Sequence, residues 1–242
     1  APLSVRAFAW TRVTVNQGFT ETCQVCSKSS CKQYNHLMPS SLATFFGKSF
    51  DTIEPHLQTA LASAADPERS LIYLERLLES RDESLLSDLV KNPRVLESLV
   101  TIFSGSQFLT EILLRNPKNV HLLSNRKSLT QRKNAEQIHT EAAQVIRDAA
   151  DDEKLNALRR YQRGEILRIG ASDLLALYDL KTVTRQLSHL ADGLVRACLD
   201  LASQQSGISA SDFVVIAMGK HGAEELNYSS DIDLLFVAAH DP

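Results

Sequence analysis

Apolar residues recur at helical spacing through most of the chain, over residues 40–205. One clear start is Asp66, a residue type that caps helices, followed by Pro67, which fits the first helical position because no N–H is needed there. The apolar residues that follow at helical spacing are Leu71, Leu74, Leu77 and Leu78. This pattern predicts an amphipathic helix with one buried face.

The same start signal, an Asx residue followed by proline, is repeated at Asn92 and at Asn116. Regularly spaced helix starts are typical of stacked helix pairs, although three are too few to predict a solenoid. Helical spacing of apolar residues continues over residues 155–169 and again from Thr182. Cys198 lies on the apolar face of this last helix, where we expect a small core residue.

The pattern changes after Gly207. Residues 213–218 form a short, continuous apolar run with β-branched side chains, which predicts a buried strand. Residues 219–230 are typical of a loop with at most one helical turn, and residues 232–238 predict a second strand. We therefore expect an α+β fold in which a mainly helical region precedes two strands.

Three regions are expected along the chain. Residues 1–37 are a disordered or non-native leader, residues 38–179 a helical region, and residues 180–242 the start of the domain that contains the strands. A pair of strands with nothing after it leaves an unpaired edge. This last feature suggests that the sequence is an incomplete part of a longer protein.

Composition narrows the functional classes. The chain is 43% hydrophobic and 23% charged, which is ordinary for a soluble globular protein. A net charge of -3 gives no reason to expect a nucleic acid held by bulk electrostatics. No apolar run approaches the ~18 residues that a membrane span needs. The 4 cysteines are too few for a disulfide scaffold, so a reducing, cytoplasmic setting is expected.

The leader contains a separate cysteine cluster. Cys23, Cys26 and Cys31 have a C-x2-C-x4-C spacing, and His36 follows. One interpretation is a zinc knuckle, because closely spaced thiolates can chelate one ion. The other, which we favour, is a disordered leader or translated non-coding sequence upstream of Met38, since zinc modules usually take their second ligand pair from a structured partner segment.

The segment around the two strands carries the candidate chemistry. Asp231 and Asp233 are two residues apart, so on a strand both carboxylates would point to one face. Two neighbouring carboxylates repel each other unless a divalent cation such as Mg²⁺ lies between them, and that cation also binds phosphate oxygens. Gly219 follows the first strand and would let the backbone approach a phosphate, to which Lys220 could add a positive charge.

Two serines complete this candidate phosphate site. Ser229 and Ser230 directly precede the acidic pair and offer hydroxyl donors to the same phosphates. A lone D-x-D or a lone Gly-Lys is weak evidence of a site, because each is structural in most proteins. Their combination between two apolar strands favours phosphoryl chemistry assisted by metal ions.

This combination resembles a known superfamily. A glycine pair after one strand, followed by Ser-Asp-apolar-Asp on the next, is similar to the polymerase-β-type nucleotidyltransferases. The string from Gly219 to Phe236, which contains Asn-Tyr-Ser-Ser-Asp-Ile-Asp, more narrowly resembles the bifunctional glutamine synthetase adenylyltransferase/adenylyl-removing enzymes. The arginine-rich segment over residues 158–169 also resembles that family, and the similarity extends over roughly residues 70–242.

The resemblance implies an activity and a set of residue roles. The version of the motif in this chain is similar to the adenylyl-removing domain, in which phosphate releases AMP from a tyrosine of glutamine synthetase as ADP and so regulates nitrogen assimilation. By position, Asp231 and Asp233 would be catalytic metal ligands for Mg²⁺. The positions expected to bind the phosphates of ATP or ADP are Gly219, Lys220, Gly222, Ser229 and Ser230. Glutamine synthetase and a PII-type nitrogen signalling protein are the implied partners, with no nucleic acid and no membrane.

The chain also departs from the family pattern. His221 replaces an apolar residue, Ala223 a glycine and Glu225 a basic residue. We interpret His221 as a surface or packing residue rather than a base. The arginines of the second segment are either phosphate contacts or members of ion pairs, and the sequence leaves both interpretations open; they are Arg159, Arg160, Arg163 and Arg168.

Two alternative functions remain open. The same metal site would also serve the opposite reaction, AMP transfer from ATP to a protein or a small alcohol. The chain could instead be a non-catalytic helical regulatory module. Nucleotidyltransferases of this type generally take a third carboxylate from a later strand, and the sequence predicts no strand after residues 232–238. For this reason we expect little activity from these 242 residues alone.

Overall fold

A computed structural model describes residues 40–79, 83–207 and 213–238. The helices within these ranges are α1 (Ser40–Phe46), α2 (Phe50–Ala62), α3 (Pro67–Leu78), α4 (Glu83–Lys91), α5 (Arg94–Gly105), α6 (Gln107–Arg115), α7 (Val120–Ser124), α8 (Arg126–Thr130), α9 (Ala135–Asp148), α10 (Lys154–Leu174), α11 (Leu180–Ser206) and α12 (Gly219–Gly222). The strands are β1 (Phe213–Met218) and β2 (Asp233–Ala238). The expected α+β class, mainly helical with two strands, is confirmed.

The described residues divide into two compact units. The first, called the helical unit below, comprises residues 40–132 and 159–180; the second, called the hairpin unit, comprises residues 133–158 and 181–238. The predicted domain boundary between residues 179 and 180 stays a prediction. The Cys23/Cys26/Cys31 cluster and the leader lie outside the described residues.

Local signals explain the helix starts of the helical unit. The side chain of Asp66 caps α3 by accepting a hydrogen bond of 3.0 Å from the backbone N–H of Arg69, as its place before a proline predicted. Helix α5 begins directly after Pro93. Pro117 instead begins a 3₁₀ turn, and α7 follows from Val120. Such turns are common at helix N-termini, so the third predicted start is displaced by three residues.

An apolar core holds the helical unit together. Helices α2, α3 and α5 contact one another and bury their leucine faces. The side chains with no exposed surface include Leu57, Leu61, Leu74, Leu77, Leu96, Leu99 and Phe103. Each such side chain contributes about 1.5–3 kcal/mol relative to an exposed position. The leucine stripe predicted for residues 71–78 is confirmed as part of this core.

One polar cluster is buried within the same unit. Arg168 of α10 is only 2% exposed, and its Nε donates to Oε2 of Glu165 over 2.8 Å. Its Nη1 donates to the carbonyl oxygen of Gln131 over 2.6 Å and to the hydroxyl of Tyr178 over 3.0 Å. Of the two interpretations left open for this arginine, the structure shows the ion pair.

The hairpin unit combines two helices with the two strands. Helix α9 starts with a capping box, in which the Asn134 side chain and the backbone of Gln137 are joined by reciprocal hydrogen bonds. Helix α11 is 27 residues long and buries one apolar face. The apolar residues of that face are Val183, Leu187, Leu190, Ala191, Leu194, Ala197 and Leu201.

The strands form a two-stranded antiparallel hairpin. The register pairs Val214 with Val237 and Met218 with Asp233. Val215 and Ala217 are half-buried, whereas Val214 is 59% exposed. The burial of both faces that the apolar run predicted is therefore not found among the described residues.

No helix within the described ranges is both long enough and apolar enough to span a membrane.

Candidate active site

The turn after β1 is shaped by Gly219. This residue has a φ of +55°, a left-handed conformation that side chains with a Cβ rarely adopt. It begins the single helical turn α12, which confirms the predicted loop with at most one turn of helix. Since Met218 pairs with Asp233 in the hairpin, the turn starts directly beside the first residue of β2.

Gly219 and the carboxylate of Asp233 are immediate neighbours. A Cβ atom at Gly219 would lie 3.3 Å from Oδ2 of Asp233, which is closer than most Cβ contacts in proteins. The glycine therefore lets backbone and carboxylate approach each other without a side chain between them. Two of the residues that the sequence assigned to one site are in this way brought together.

Gly222 lets the turn pack closely against the backbone of β1. A Cβ atom at this position would lie 2.5 Å from the carbonyl oxygen of Ala217, too close for any side chain. The last residue of α12 thus packs directly against the backbone of β1. Gly222 has a structural requirement of its own, whereas its predicted role in phosphate binding stays a prediction.

The two carboxylates are accessible to solvent. Asp231 and Asp233 are exposed and alternate with Ile232 and Leu234, which are half-buried. This alternation has the period expected of an extended segment with both carboxylates on one side. Asp231 lies two residues before β2, because pairing with β1 begins at Asp233, one residue after the predicted strand start at Ile232. Strand limits commonly differ by one or two residues in this way.

The serines lie in a compact turn organised by Asn227. The backbone N–H of Ser229 donates to Oδ1 of Asn227 over 3.1 Å, and the Ser230 hydroxyl donates to the same oxygen over 2.9 Å. The backbone N–H of Asn227 donates in turn to Oγ of Ser230 over 3.1 Å. Both serine hydroxyls thus contact Asn227, and Asp231 follows directly. Asn227 carries the Asx-turn signal that the sequence analysis did not use.

Lys220 supplies positive charge to the turn. Its side chain is exposed, and within the part of the chain described here it forms no ion pair. An exposed ammonium next to a glycine turn can bind an anion without first breaking a salt bridge. Lys220 is therefore available to a phosphate in a way that the buried Arg168 is not.

Among the described residues, Asp231 and Asp233 have no third candidate metal ligand beside them. Within the described ranges there is no group of 3 or more His, Cys, Asp or Glu residues that could hold a metal ion. Mg²⁺ is often bound through only one or two protein carboxylates together with substrate phosphates. Asp231 and Asp233 therefore fit a magnesium ion that shares its coordination with a nucleotide.

Helix α11 contacts the loop between the strands through polar side chains. The backbone N–H of Leu226 donates to Oγ of Ser188 over 3.3 Å. Nε2 of His221 lies 2.8 Å from Oδ1 of Asp192, and His221 is 4% exposed. The packing role predicted for His221 agrees with this burial. Its partner on α11 was not identified from the sequence, because the two residues are 29 positions apart.

Comparison with known proteins agrees with these features. Residues 96–242 match the family described as glutamate-ammonia ligase adenylyltransferase. A relative from Streptomyces avermitilis, named bifunctional glutamine synthetase adenylyltransferase/adenylyl-removing enzyme, is 32% identical over 191 residues, covering 76% of this chain and 18% of the relative. A relative of the same name from Chromobacterium violaceum is 30% identical over 201 residues, covering 78% of this chain and 22% of the relative.

The chain spans about a fifth of the length of the curated relatives that it matches. The family match includes both strands, the glycine turn and the acidic pair, and it extends back to α5. More than half of the chain is therefore covered by one family. The chain belongs to the glutamate-ammonia ligase adenylyltransferase family.

Proposed function

We propose that the protein containing this chain removes AMP from adenylylated glutamine synthetase, and that the hairpin unit contributes the phosphate- and metal-binding part of the site. Inorganic phosphate attacks the phosphorus of the tyrosyl-AMP, and the bond between that phosphorus and the tyrosine oxygen breaks. The tyrosine oxygen takes up a proton and ADP is released. The Asn-Tyr-Ser-Ser-Asp-Ile-Asp motif and the names of the relatives support this proposal.

The proposal depends most on the contact between Gly219 and Asp233. A metal-binding carboxylate and a phosphate-binding backbone must lie within one phosphate group of each other, and a Cβ on Gly219 would be only 3.3 Å from Oδ2 of Asp233. Among the described glycines, Gly219 is the one whose nearest neighbour to an added Cβ is a carboxylate oxygen. This closeness supports a site in which one phosphate contacts both groups.

Asp231 and Asp233 are the residues that would hold Mg²⁺. The bound ion would neutralise the charge that develops on the phosphoryl oxygens and the leaving oxygen. The two carboxylates supply hard oxygen donors of the kind magnesium prefers, and their exposure leaves them accessible to a nucleotide.

The remaining residues bind and orient the phosphates. The backbone at Gly219 offers N–H donors, and the exposed ammonium of Lys220 offers charge. Ser229 and Ser230 lie in the Asn227 turn directly before the acidic pair, and each hydroxyl could donate to a phosphate by turning its one hydrogen away from Oδ1 of Asn227. No protein nucleophile is needed, because phosphoryl transfer of this type relies on positioning and charge stabilisation.

The partners are those that the family resemblance implies. Glutamine synthetase is the protein substrate, ADP is the nucleotide product, and a PII-type signalling protein is the regulator expected in a cytoplasmic setting. ATP becomes the nucleotide substrate only in the opposite reaction, AMP transfer to an acceptor.

The direction of the reaction can be tested with labelled phosphate. The complete protein is incubated with adenylylated glutamine synthetase, Mg²⁺ and ³²P-phosphate, and label is expected in the β-phosphate of ADP. The separate incorporation of AMP from ATP into unmodified glutamine synthetase is measured in parallel. Release of unlabelled AMP, or release that does not depend on phosphate, would contradict phosphorolysis.

Two substitutions assign the reaction to this site. Asp231→Asn and Asp233→Asn should each lower adenylyl removal by at least about a hundredfold, because they remove charge from the metal site. The melting temperature should stay within about 2 °C, because both side chains are exposed. Asp151→Asn is the control, since that side chain is 96% exposed and lies elsewhere in the hairpin unit. Loss of AMP addition with normal AMP removal would instead assign the opposite direction to this site.

A further inference from the structure

His221 is buried in the middle of the candidate phosphate turn. It is 4% exposed, and its Nε2 donates to Oδ1 of Asp192 on α11 over 2.8 Å. Its second ring nitrogen, Nδ1, is buried and has no hydrogen-bond partner among the described residues. A buried imidazole with one unsatisfied nitrogen is unfavourable, because that nitrogen has lost its hydrogen bond to water. Its contact with Asp192 must offset that cost.

Three further contacts join α11 to the same loop, one of them between Nε2 of His189 and Oε1 of Glu224 at 3.7 Å. The Ser188 hydroxyl accepts from the backbone N–H of Leu226 over 3.3 Å, and Nε of Arg185 donates to Oε2 of Glu224 over 3.1 Å. Positions 185, 188 and 192 are spaced three and four residues apart, so they lie along one face of the helix. We call Arg185, Ser188 and Asp192 the anchor row.

The three anchors differ in strength. Arg185 and Glu224 are about half exposed, at 49% and 50%, and surface ion pairs of that kind contribute little. The bond to Ser188 joins two neutral groups. The bond between His221 and Asp192 has a charged acceptor and a donor side chain that is only 2% exposed, and such bonds are the strongest of the three types. His221 is therefore the main anchor.

This anchor acts on the residues that the proposed function needs. His221 lies within α12, between Lys220 and Gly222, and Gly219 begins the same turn. The turn is closed by backbone bonds from Ala223 to Gly219 over 3.1 Å and from Glu225 to Lys220 over 2.8 Å. A displacement of His221 would therefore move the turn away from Asp233. Displacements of about 1 Å at a reacting site lower rates or affinities strongly.

We propose that His221 and Asp192 form a positioning pair, which fixes the glycine turn against α11 and so sets its affinity for the phosphates of the nucleotide. His221 does not contact the substrate in this arrangement, because its ring is buried and Nε2 is occupied by Asp192. The proposal rests on the proposed function for the identity of the ligand. It extends that function by assigning a role to a histidine that replaces an apolar residue of the family pattern.

The main test replaces His221 by the apolar type that the family pattern favours. His221→Leu should speed amide hydrogen exchange in residues 219–226 by about tenfold, since it removes the strongest anchor. The dissociation constant for ADP and the KM for phosphate should rise by about the same factor, while kcat changes less than about threefold. Exchange is measured by mass spectrometry and ADP binding by calorimetry, both with the complete protein.

Three variants distinguish positioning from a general loss of structure. His221→Gln keeps a donor near the place of Nε2 and should restore most of the exchange protection and the ADP affinity. Asp192→Ala removes the partner from a half-exposed position, so it tests the pair even where His221→Leu does not fold. In the double variant His221→Leu/Asp192→Ala, the loss of ADP affinity should be no larger than in either single variant.

A second histidine–aspartate pair, between His139 of α9 and Asp200 of α11, provides a matched control. Nε2 of His139 lies 2.6 Å from Oδ2 of Asp200, which is about two helical turns beyond Asp192. His139→Leu should leave the exchange of residues 219–226 and the ADP affinity unchanged. Equal effects of His139→Leu and His221→Leu would mean that the site responds to general destabilisation, and would overturn the proposal.

The two proposals fail in different ways. Unchanged exchange or unchanged ADP affinity in both His221→Leu and Asp192→Ala overturns the positioning pair, whatever the enzyme does. If the wild-type protein binds ADP but releases no AMP from glutamine synthetase, the proposed function fails. The positioning pair then stands on the exchange and ADP data alone.

Discussion

Arg168 and Lys220 show how differently the two units use a basic side chain. In the helical unit, Arg168 is 2% exposed and is held by Glu165 at 2.8 Å and by two oxygen acceptors. In the hairpin unit, Lys220 is exposed on a glycine turn next to Asp233. Both residues lie in segments that resemble the family pattern, yet only Lys220 is accessible to an incoming phosphate.

The surroundings of the two residues explain the difference. The helical unit is held by closely packed leucines and by Phe103, and a charge inside such a core must be compensated within it. The loop that carries Lys220 is held at His221 and Leu226 by polar bonds to Asp192 and Ser188, and Lys220 itself stays exposed. A loop fixed by a few polar contacts can thus expose a charged side chain to solvent, whereas a packed core must pair such a side chain with a buried partner.

The largest expected effects are a loss of stability on substitution of Arg168 and a loss of phosphate binding on substitution of Lys220. Arg168→Met should lower the free energy of unfolding by about 3–5 kcal/mol, because it breaks the buried ion pair with Glu165. Lys220→Ala should change that free energy by less than about 0.5 kcal/mol while raising the KM for phosphate by about tenfold. Urea unfolding and steady-state kinetics measure the two quantities.

A double substitution sharpens the interpretation of Arg168. Arg168→Met/Glu165→Leu removes both charges and should regain most of the lost stability, as buried ion pairs replaced by apolar residues usually do. A strongly raised KM for phosphate in this double variant would show that Arg168 contributes to binding. Arg168 and Lys220 would then no longer differ in their access to phosphate.

The same substitution at two glycines should have opposite signs. Gly222→Ala introduces a Cβ that would lie 2.5 Å from the carbonyl oxygen of Ala217, so we expect a loss of about 1–3 kcal/mol and weaker ADP binding. Gly164→Ala, in the middle of α10, meets no atom within 4 Å and should raise stability by about 0.5–1 kcal/mol. Thermal unfolding followed by circular dichroism checks both signs. A neutral Gly222→Ala would mean that the turn is not packed against β1.

The smallest expected effect on stability near neutral pH concerns Cys198 of α11. Burial raises the pKa of its thiol from 9.0 to about 11, because the thiolate is poorly solvated. Because the thiol pKa is higher in the folded than in the unfolded state, the neutral thiol of Cys198 favours folding. This stabilisation is complete below about pH 9 and is lost as the pH rises towards 11. At pH 8, iodoacetamide should modify Cys198 about a hundredfold more slowly in the native protein than in urea, measured by site-resolved mass spectrometry. Equal rates in both states would show that the thiol is exposed.

Much of this fold can be predicted from residues that are close in sequence. The cap at Asp66, the leucine spacing of α3 and the apolar run of β1 are local signals, because a helix or strand is set by its own few residues. The pairing of Gly219 with the acidic motif is also visible in sequence, since a hairpin brings the ends of adjacent strands together. Asn227 could have been predicted too, as an Asx residue that organises a turn.

Long-range contacts could be decided only by the tertiary structure. Glu165, the ion-pair partner of Arg168, lies three residues earlier on the same helix, whereas its acceptors Gln131 and Tyr178 are 37 and 10 residues away and only the packed chain brings them to it. The partner of His221 is likewise supplied by α11, from 29 residues earlier. The sequence by itself determined which residues can bind a phosphate or a metal ion, because that capacity belongs to the side chain. Burial and compensation depend on neighbours from distant segments, so only the packed chain decided which of these groups remain available.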